Sequence, residues 1–233
     1  MLLSEIKLPV RQSPIRISNA ITSNKTDIIG SGWQTVVYAH KKHANSVIKI
    51  ASIDDAGDPI YQSLRVFFNH QNNPFFPKIY NYKVYPSRDV TDDEMDHLET
   101  FADIKEIGPP KDSPYKLVIV TERLQPIESI SQNEILAMME SLGILQDVKN
   151  SPRTYIEHRS QMMSMFRFPE TRGYMRQNTT NKDFANALRL LEPLFRKFAP
   201  DMHFNNVMLR GRQLVIIDPV GYIGSDILRG EAD

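Results

Sequence analysis

Three polar residues have the types and the spacing for metal-assisted chemistry. In APDMHFNNVMLRGRQLVIIDPVGY (199–222), Asp201 and Asn206 stand five positions apart and Asp218 closes a second apolar run. NVML (206–209) and QLVIID (213–218) read as two short strands joined by the turn RGR. That pattern sets Asp201, Asn206 and Asp218 at the lips of one hairpin. An amide carbonyl and a carboxylate are hard oxygen ligands, of the kind that hold Mg²⁺ while nucleotide phosphates complete its octahedron. The remaining carboxylate, Asp201, suits a group that orients a hydroxyl and accepts its proton. Each residue alone also suits a loop-shaping role, as an N-cap, an Asx-turn or a strand-end aspartate. Their joint spacing is what points to chemistry.

The elements that must position this hairpin follow from hydrophobic period. DIIGSGWQTVVYAH (27–40) alternates apolar and small residues, KKHANS (41–46) is a polar turn, and VIKIAS (47–52) resumes the alternation, which predicts a β-hairpin. DDAGDPIYQSLRVFFNH (54–70) opens on Asp and Pro and spaces Ile60, Leu64, Phe67 and Phe68 helically, so one short helix is expected. FFPKIYNYKVYP (75–86) and YKLVIVTERL (115–124) are rich enough in aromatic and β-branched residues to be strands. Segment 129–149 and NKDFANALRLLEPLFRKF (181–198), the latter with Leu188, Leu191, Phe195 and Phe198, read as amphipathic helices. Strands with one helix therefore precede a helix-rich half. A leading arm is expected over 1–26, a sheet-rich unit over 27–124 and a helical unit over 125–233.

Composition removes several function classes. With 28 Lys+Arg against 28 Asp+Glu the formal net charge is zero, so no global field draws the chain to nucleic acid or anionic lipid. The absence of cysteine excludes a disulfide framework, thiolate zinc sites and a thiol nucleophile, and suits the cytoplasm. No apolar run reaches the roughly 18 residues of a spanning helix, so no membrane role is expected. Hydrophobic residues at 41% and charged ones at 24% are those of a folded globular chain.

The pattern D-x-x-x-x-N followed by an aspartate after an apolar strand resembles the protein-kinase signature set. The resemblance implies Asp201 as catalytic base and Asn206 and Asp218 as Mg²⁺ ligands, with ATP as the phosphoryl donor. It also implies a glycine-rich turn and a strand lysine earlier in the chain. Gly30, Gly32 and Val37 match that turn, with Ser31 between the glycines and Thr35 in place of the third glycine. Lys49 in VIKIA, 12 residues after Val37, matches the lysine that holds the α- and β-phosphates. YKLVIVTERLQPI (115–127) then resembles the strand and hinge between lobes, with Thr121 as gatekeeper and the backbone of Glu122 to Leu124 facing adenine. The implied fold is α+β, a bilobed protein-kinase-like domain with an abbreviated C-terminal lobe.

Departures from the pattern narrow it. Ala199 and Pro200 stand where ordinary kinases have His and Arg, His203 where a lysine is usual, and DPV replaces DFG. D-x-H-x-x-N with I-D-P is the spelling of aminoglycoside- and choline-kinase-like phosphotransferases. DMHFNN…DPV is also similar to the early-expressed serine/threonine protein kinases of short-tailed bacteriophages. That likeness implies His203 near the transferred phosphoryl group and, as acceptor, a Ser or Thr of a host protein in the transcription or RNA-processing machinery, reached in the host cytoplasm. Helix 54–70 has no glutamate for Lys49, leaving Asp58 or Gln62, and the 15 residues after Asp218 are too few for a full activation segment. A small-molecule kinase, a pseudokinase binding module and a nucleotidyl transferase on the same fold stay open as alternatives.

Other stretches have plainer readings. Residues 88–112 carry nine acids against three bases and read as a solvated loop, with a docking surface as alternative. Residues 153–182 carry six bases, two acids and four methionines, and read as a packed, partly solvated insertion or a contact for an acidic partner. Trp33 sits at the glycine-rich turn, to cover phosphates or pack on a strand. The six histidines show no paired ligand spacing, so no zinc site is expected.

Overall fold

The computed structural model describes residues 28–32, 34–40, 43–86, 113–144, 169–202 and 204–221. The arm 1–26, Trp33, the acidic run, residues 145–168 and His203 lie outside the described residues. The described chain forms two compact units. One runs to Gln62 and resumes over Lys78–Arg123, and the other takes Ser63–Pro77 and the chain from Leu124 on.

The first unit is a five-stranded antiparallel sheet. Its strands are β1 (Ile28–Gly32), β2 (Thr35–Ala39), β3 (Ser46–Ile53), β4 (Ile79–Pro86) and β5 (Tyr115–Glu122), in the order β1-β2-β3-β5-β4. The segment 27–40, expected as one arm of a hairpin, is itself a hairpin, because two residues suffice to turn the chain between Gly32 and Thr35. β-Branched alternation on β2, β3 and β5 gives the sheet two apolar faces. Val36, Tyr38, Ile48, Ile50 and Tyr85 form a buried cluster with Val118 on one face. The other carries Val47, Ala51, Ile53, Val84, Leu117 and Ile119, all buried. Seven of the eight residues of β3 are buried and Lys49 is the exception.

Helix α1 (Pro59–Asn69) starts where its sequence says it should. The Asp58 carboxylate accepts the Ile60 N–H at 2.8 Å, and Pro59 sits at the first helical position, where its missing N–H is harmless. Its apolar stripe is Ile60, Tyr61, Leu64 and Phe67, while Phe68 is 40% exposed. Tyr61 meets Tyr82 of β4 edge to face, with centroids 6.4 Å apart.

The strand expected over 75–86 begins only at Ile79. Pro74 and Pro77 have no N–H for a ladder, and the Asn73 side chain accepts the Phe75 N–H at 2.9 Å in an Asx-turn. Phe75 and Phe76 point inward instead, against Phe184 and Phe67, and are 1% and 0% exposed.

In the second unit, β6 (Gln125–Pro126) and a 3₁₀ turn (Ile127–Ser129) precede α2 (Gln132–Ser141). The helix expected over 129–149 is thus shorter at both ends, and its last expected residues lie outside the described ones. Ser131 and Glu134 form a capping box that fixes its start. The Ser131 hydroxyl, then its backbone N–H and Arg212, hold the Glu134 carboxyl below its ordinary pKa. Its end is fixed by Gly143 at φ 72°, with the Ile144 N–H returning to the Met139 carbonyl at 2.9 Å. A Cβ there also comes within 3.2 Å of the Thr179 backbone nitrogen. Gly143→Ala is therefore expected to lower the unfolding free energy by more than ~1 kcal/mol, read as a shifted urea midpoint at unchanged slope.

Helices α3 (Pro169–Asn178) and α4 (Lys182–Phe195) pack together. Asn181 caps α4 by accepting the Phe184 N–H, and Phe184, Ala187, Leu188, Leu191, Leu194 and Phe195 are buried; the helix stops before Phe198. Within the described part of the basic run, Arg172 and Met175 are buried. Arg172, 2% exposed, lies 3.6 Å from Glu192 with its guanidinium 4.6 Å over the Phe195 ring. Arg176 and Arg196 approach the same carboxylate at 3.9 and 3.7 Å.

The chain then makes β7 (Ala199–Pro200), a 3₁₀ turn (Phe204–Asn206), β8 (Val207–Arg210), β9 (Gln213–Ile216) and β10 (Val220–Gly221). This is the α+β class expected from the sequence, with a sheet-rich unit followed by helices and a short hairpin. No helix among the described residues is long and apolar enough to cross a membrane.

Candidate active site

The β8–β9 hairpin turns on two residues, with Gly211 at φ 63° in the left-handed region that an L side chain disfavours. Nothing lies within 4 Å of a Cβ placed there, so the glycine is a backbone requirement alone. β6 pairs β8 on one side, through Gln125 with Leu209 and Pro126 with Met208. Arg212 at the turn reaches the Glu134 carboxylate at 3.0 Å and ties the hairpin to the start of α2.

At the open end of this hairpin the three sequence-selected residues come together. The Asn206 amide nitrogen donates to the Asp201 carbonyl at 2.6 Å and to its carboxylate at 3.1 Å. The Ile217 N–H donates to the Asn206 carbonyl at 2.9 Å, and the Asp201 N–H to the Pro219 carbonyl at 2.9 Å. Asp218 is thus bracketed by two backbone bonds, one to Asn206 and one to Asp201. Pairing of β7 with β10, Pro200 with Val220 and Ala199 with Gly221, closes the arrangement. Asp201, Asn206 and Asp218 are each half-buried.

Gly221 was not singled out by sequence. Among described residues, the nearest neighbours of a Cβ placed on it are all Asp201 side-chain atoms, at 3.7–3.8 Å. Its glycine keeps space beside the carboxylate.

The donor set suits Mg²⁺. Among the described residues no group of three or more His, Cys, Asp or Glu side chains gathers to hold a metal. Mg²⁺ is held by one or two carboxylates with substrate phosphates and water making up the rest, and Asp218 with the Asn206 amide offers that partial set.

In the first unit, three of the other sequence-selected residues share one row of the sheet. Gly30 pairs with Val37, Val37 with Lys49, and Lys49 with Ile119. Cross-strand partners share a face, so Val37 and Lys49 project from the same side. Thr35 and Thr121 lie on that side too, paired with Ala51 and Val47. β1 and β2 are paired up to Gly32 and Thr35, and Ser31 pairs with Val36, so the expected phosphate loop is a tight hairpin. His203, expected at the phosphoryl group, lies outside the described residues.

Two substitutes for the absent helix glutamate have local partners. Asp58 caps α1, and the Gln62 amide donates to the Ala56 carbonyl. The hinge stretch is likewise engaged. The Thr121 hydroxyl and the Glu122 N–H both donate to the Lys78 carbonyl, at 2.9 and 3.1 Å, and the Glu122 carboxylate accepts the Lys78 N–H at 2.8 Å. The Arg123 N–H donates to the Asn45 carbonyl at 2.8 Å. Strand-type bonds therefore use the N–H groups of Glu122 and Arg123.

No protein-family model matches this chain. No curated protein matches it either. Among solved structures the chain is similar to the streptomycin-ATP-APH(2")-IIa ternary complex, at 13% identity and a TM-score of 0.31, over 89% of this chain and 70% of that one.

Proposed function

We propose that the chain is an ATP- and Mg²⁺-dependent phosphotransferase that transfers the γ-phosphoryl group to a hydroxyl. The observation that carries this is the joining of Asp201 to Asn206, and of Ile217 and Pro219 on either side of Asp218 to those two residues, by four hydrogen bonds within one compact unit. Asn206 and Asp218 would hold Mg²⁺, which would supply neutralisation of the phosphate charge. Asp201 orients the acceptor hydroxyl and takes its proton as the oxygen bonds to the γ-phosphorus, while the bond from that phosphorus to the β,γ-bridging oxygen breaks and ADP leaves. Lys49 and the Gly30–Thr35 backbone hold phosphates, the Glu122–Leu124 backbone the adenine, and His203 the transferred group.

The acceptor in this reading is a Ser or Thr of a host protein in the transcription or RNA-processing machinery, by the likeness of DMHFNN…DPV. A small-molecule hydroxyl is the second reading, favoured by the D-x-H-x-x-N spelling and by Pro200 in the place of the arginine. The test is incubation with γ-labelled ATP and Mg²⁺ in a cell extract and, separately, in a library of hydroxyl metabolites. Label on protein Ser or Thr, lost in Asp201→Asn, is the expected result. Label on a metabolite selects the second reading. No Asp201-dependent label in either rejects phosphoryl transfer.

A further inference from the structure

Among the described residues no strand pairs the β9 edge of the hairpin flanked by Asn206 and Asp218. That edge is covered by the loop after α1. The Arg210 guanidinium donates to the Pro74 carbonyl at 3.0 Å and to the Phe76 carbonyl at 2.9 Å. Between them, the Phe75 carbonyl accepts the Ile216 N–H at 2.8 Å. Three consecutive carbonyls of the loop are thus taken by the hairpin, two of them by a single side chain. The loop is itself held from behind. Phe75 and Phe76 are buried, and the Asn73 amide donates to the Asp183 carbonyl at the start of α4 at 3.0 Å.

We propose that Arg210 is a positioning residue for the metal site: from the end of β8 it fixes the β8–β9 hairpin against the 74–76 loop, beside the Ile216–Phe75 bond, and so fixes Asp218, two residues beyond Ile216. The inference rests on the phosphotransferase reading above. A planar guanidinium meets the two carbonyls with two separate nitrogens in a fixed fork, whereas a lysine ammonium offers one shorter-reaching point donor to both. Loss of Arg210 removes its bonds to the Pro74 and Phe76 carbonyls and leaves the Ile216–Phe75 bond to hold that edge without them. Asp218 then keeps its chemistry and loses its placement.

The test is Mn²⁺ binding, read as loss of the free-ion paramagnetic signal, in the presence of a non-hydrolysable ATP analogue and without turnover. Wild type is expected to show a site that Asp218→Asn removes. Arg210→Met, which keeps the apolar stem, is expected to bind Mn²⁺ about tenfold or more weakly, and Arg210→Lys to fall between, with faster amide exchange at Ile216 in both. Arg210→Met with affinity within about twofold of wild type overturns the positioning role while leaving the metal site standing. A wild type with no Asp218-dependent site overturns the metal reading and this role with it. Where Arg210→Met does not fold, Arg210→Lys decides, and wild-type affinity in that variant overturns the role.

Discussion

Asp218→Asn is expected to reduce phosphoryl transfer by at least ~100-fold, the scale on which an electrostatic contact made to transferring charge is felt. The fold should be indifferent to the change. Asn has the shape of Asp, the residue is half-buried, and the bonds that bracket it belong to the backbone of Ile217 and Pro219. Thermal unfolding within a few degrees of wild type, with turnover nearly abolished at saturating Mg²⁺, is the expected pair of measurements. Turnover above about a tenth of wild type removes Asp218 from the metal site.

Lys49→Met is expected to be the second large loss. β3 is buried on both faces except at Lys49, whose flanking partners are Val37 and Ile119, so an unbranched apolar side chain fits the row. The variant keeps the stem that packs and deletes the ammonium proposed to meet the phosphates. A fall in turnover of ~100-fold or more with a weaker apparent affinity for ATP, at a melting temperature close to wild type, is the expected outcome. Collapse of the fold together with activity makes Lys49 a structural ion of the sheet instead.

What the sequence made legible follows from how local each signal is. The β8–β9 hairpin was readable because apolar runs, a Gly-centred turn and strand-end polar residues all lie within 20 positions of one another. The α1 start was readable for the same reason, with Asp58 and Pro59 adjacent. Phe75 and Phe76 were misread as strand because aromatic residues serve a pleated sheet and a core equally well. The flanking Pro74 and Pro77, which deny the ladder its donors, were the signal that distinguishes them. Arg210 and Gly221 were not legible at all. Their partners lie at Pro74 and Phe76, more than 130 positions away, or across a strand pair that composition does not announce. Arg172 illustrates a third case, since a basic residue in a basic run gives no sign that it will be buried over Phe195.

The bonds that join Asp201 to Pro219 and Asn206 to Ile217 also have an entropic side. They close a stretch of chain whose ends would otherwise wander, and the length-dependent part of closing such a loop is roughly 2.5 kcal/mol. That ordering is completed when the protein folds, before any ion or nucleotide arrives. Cation binding at Asn206 and Asp218, as proposed, then need not order the backbone that these bonds already hold, so its calorimetric signature is expected to lack the heat-capacity change of a folding transition.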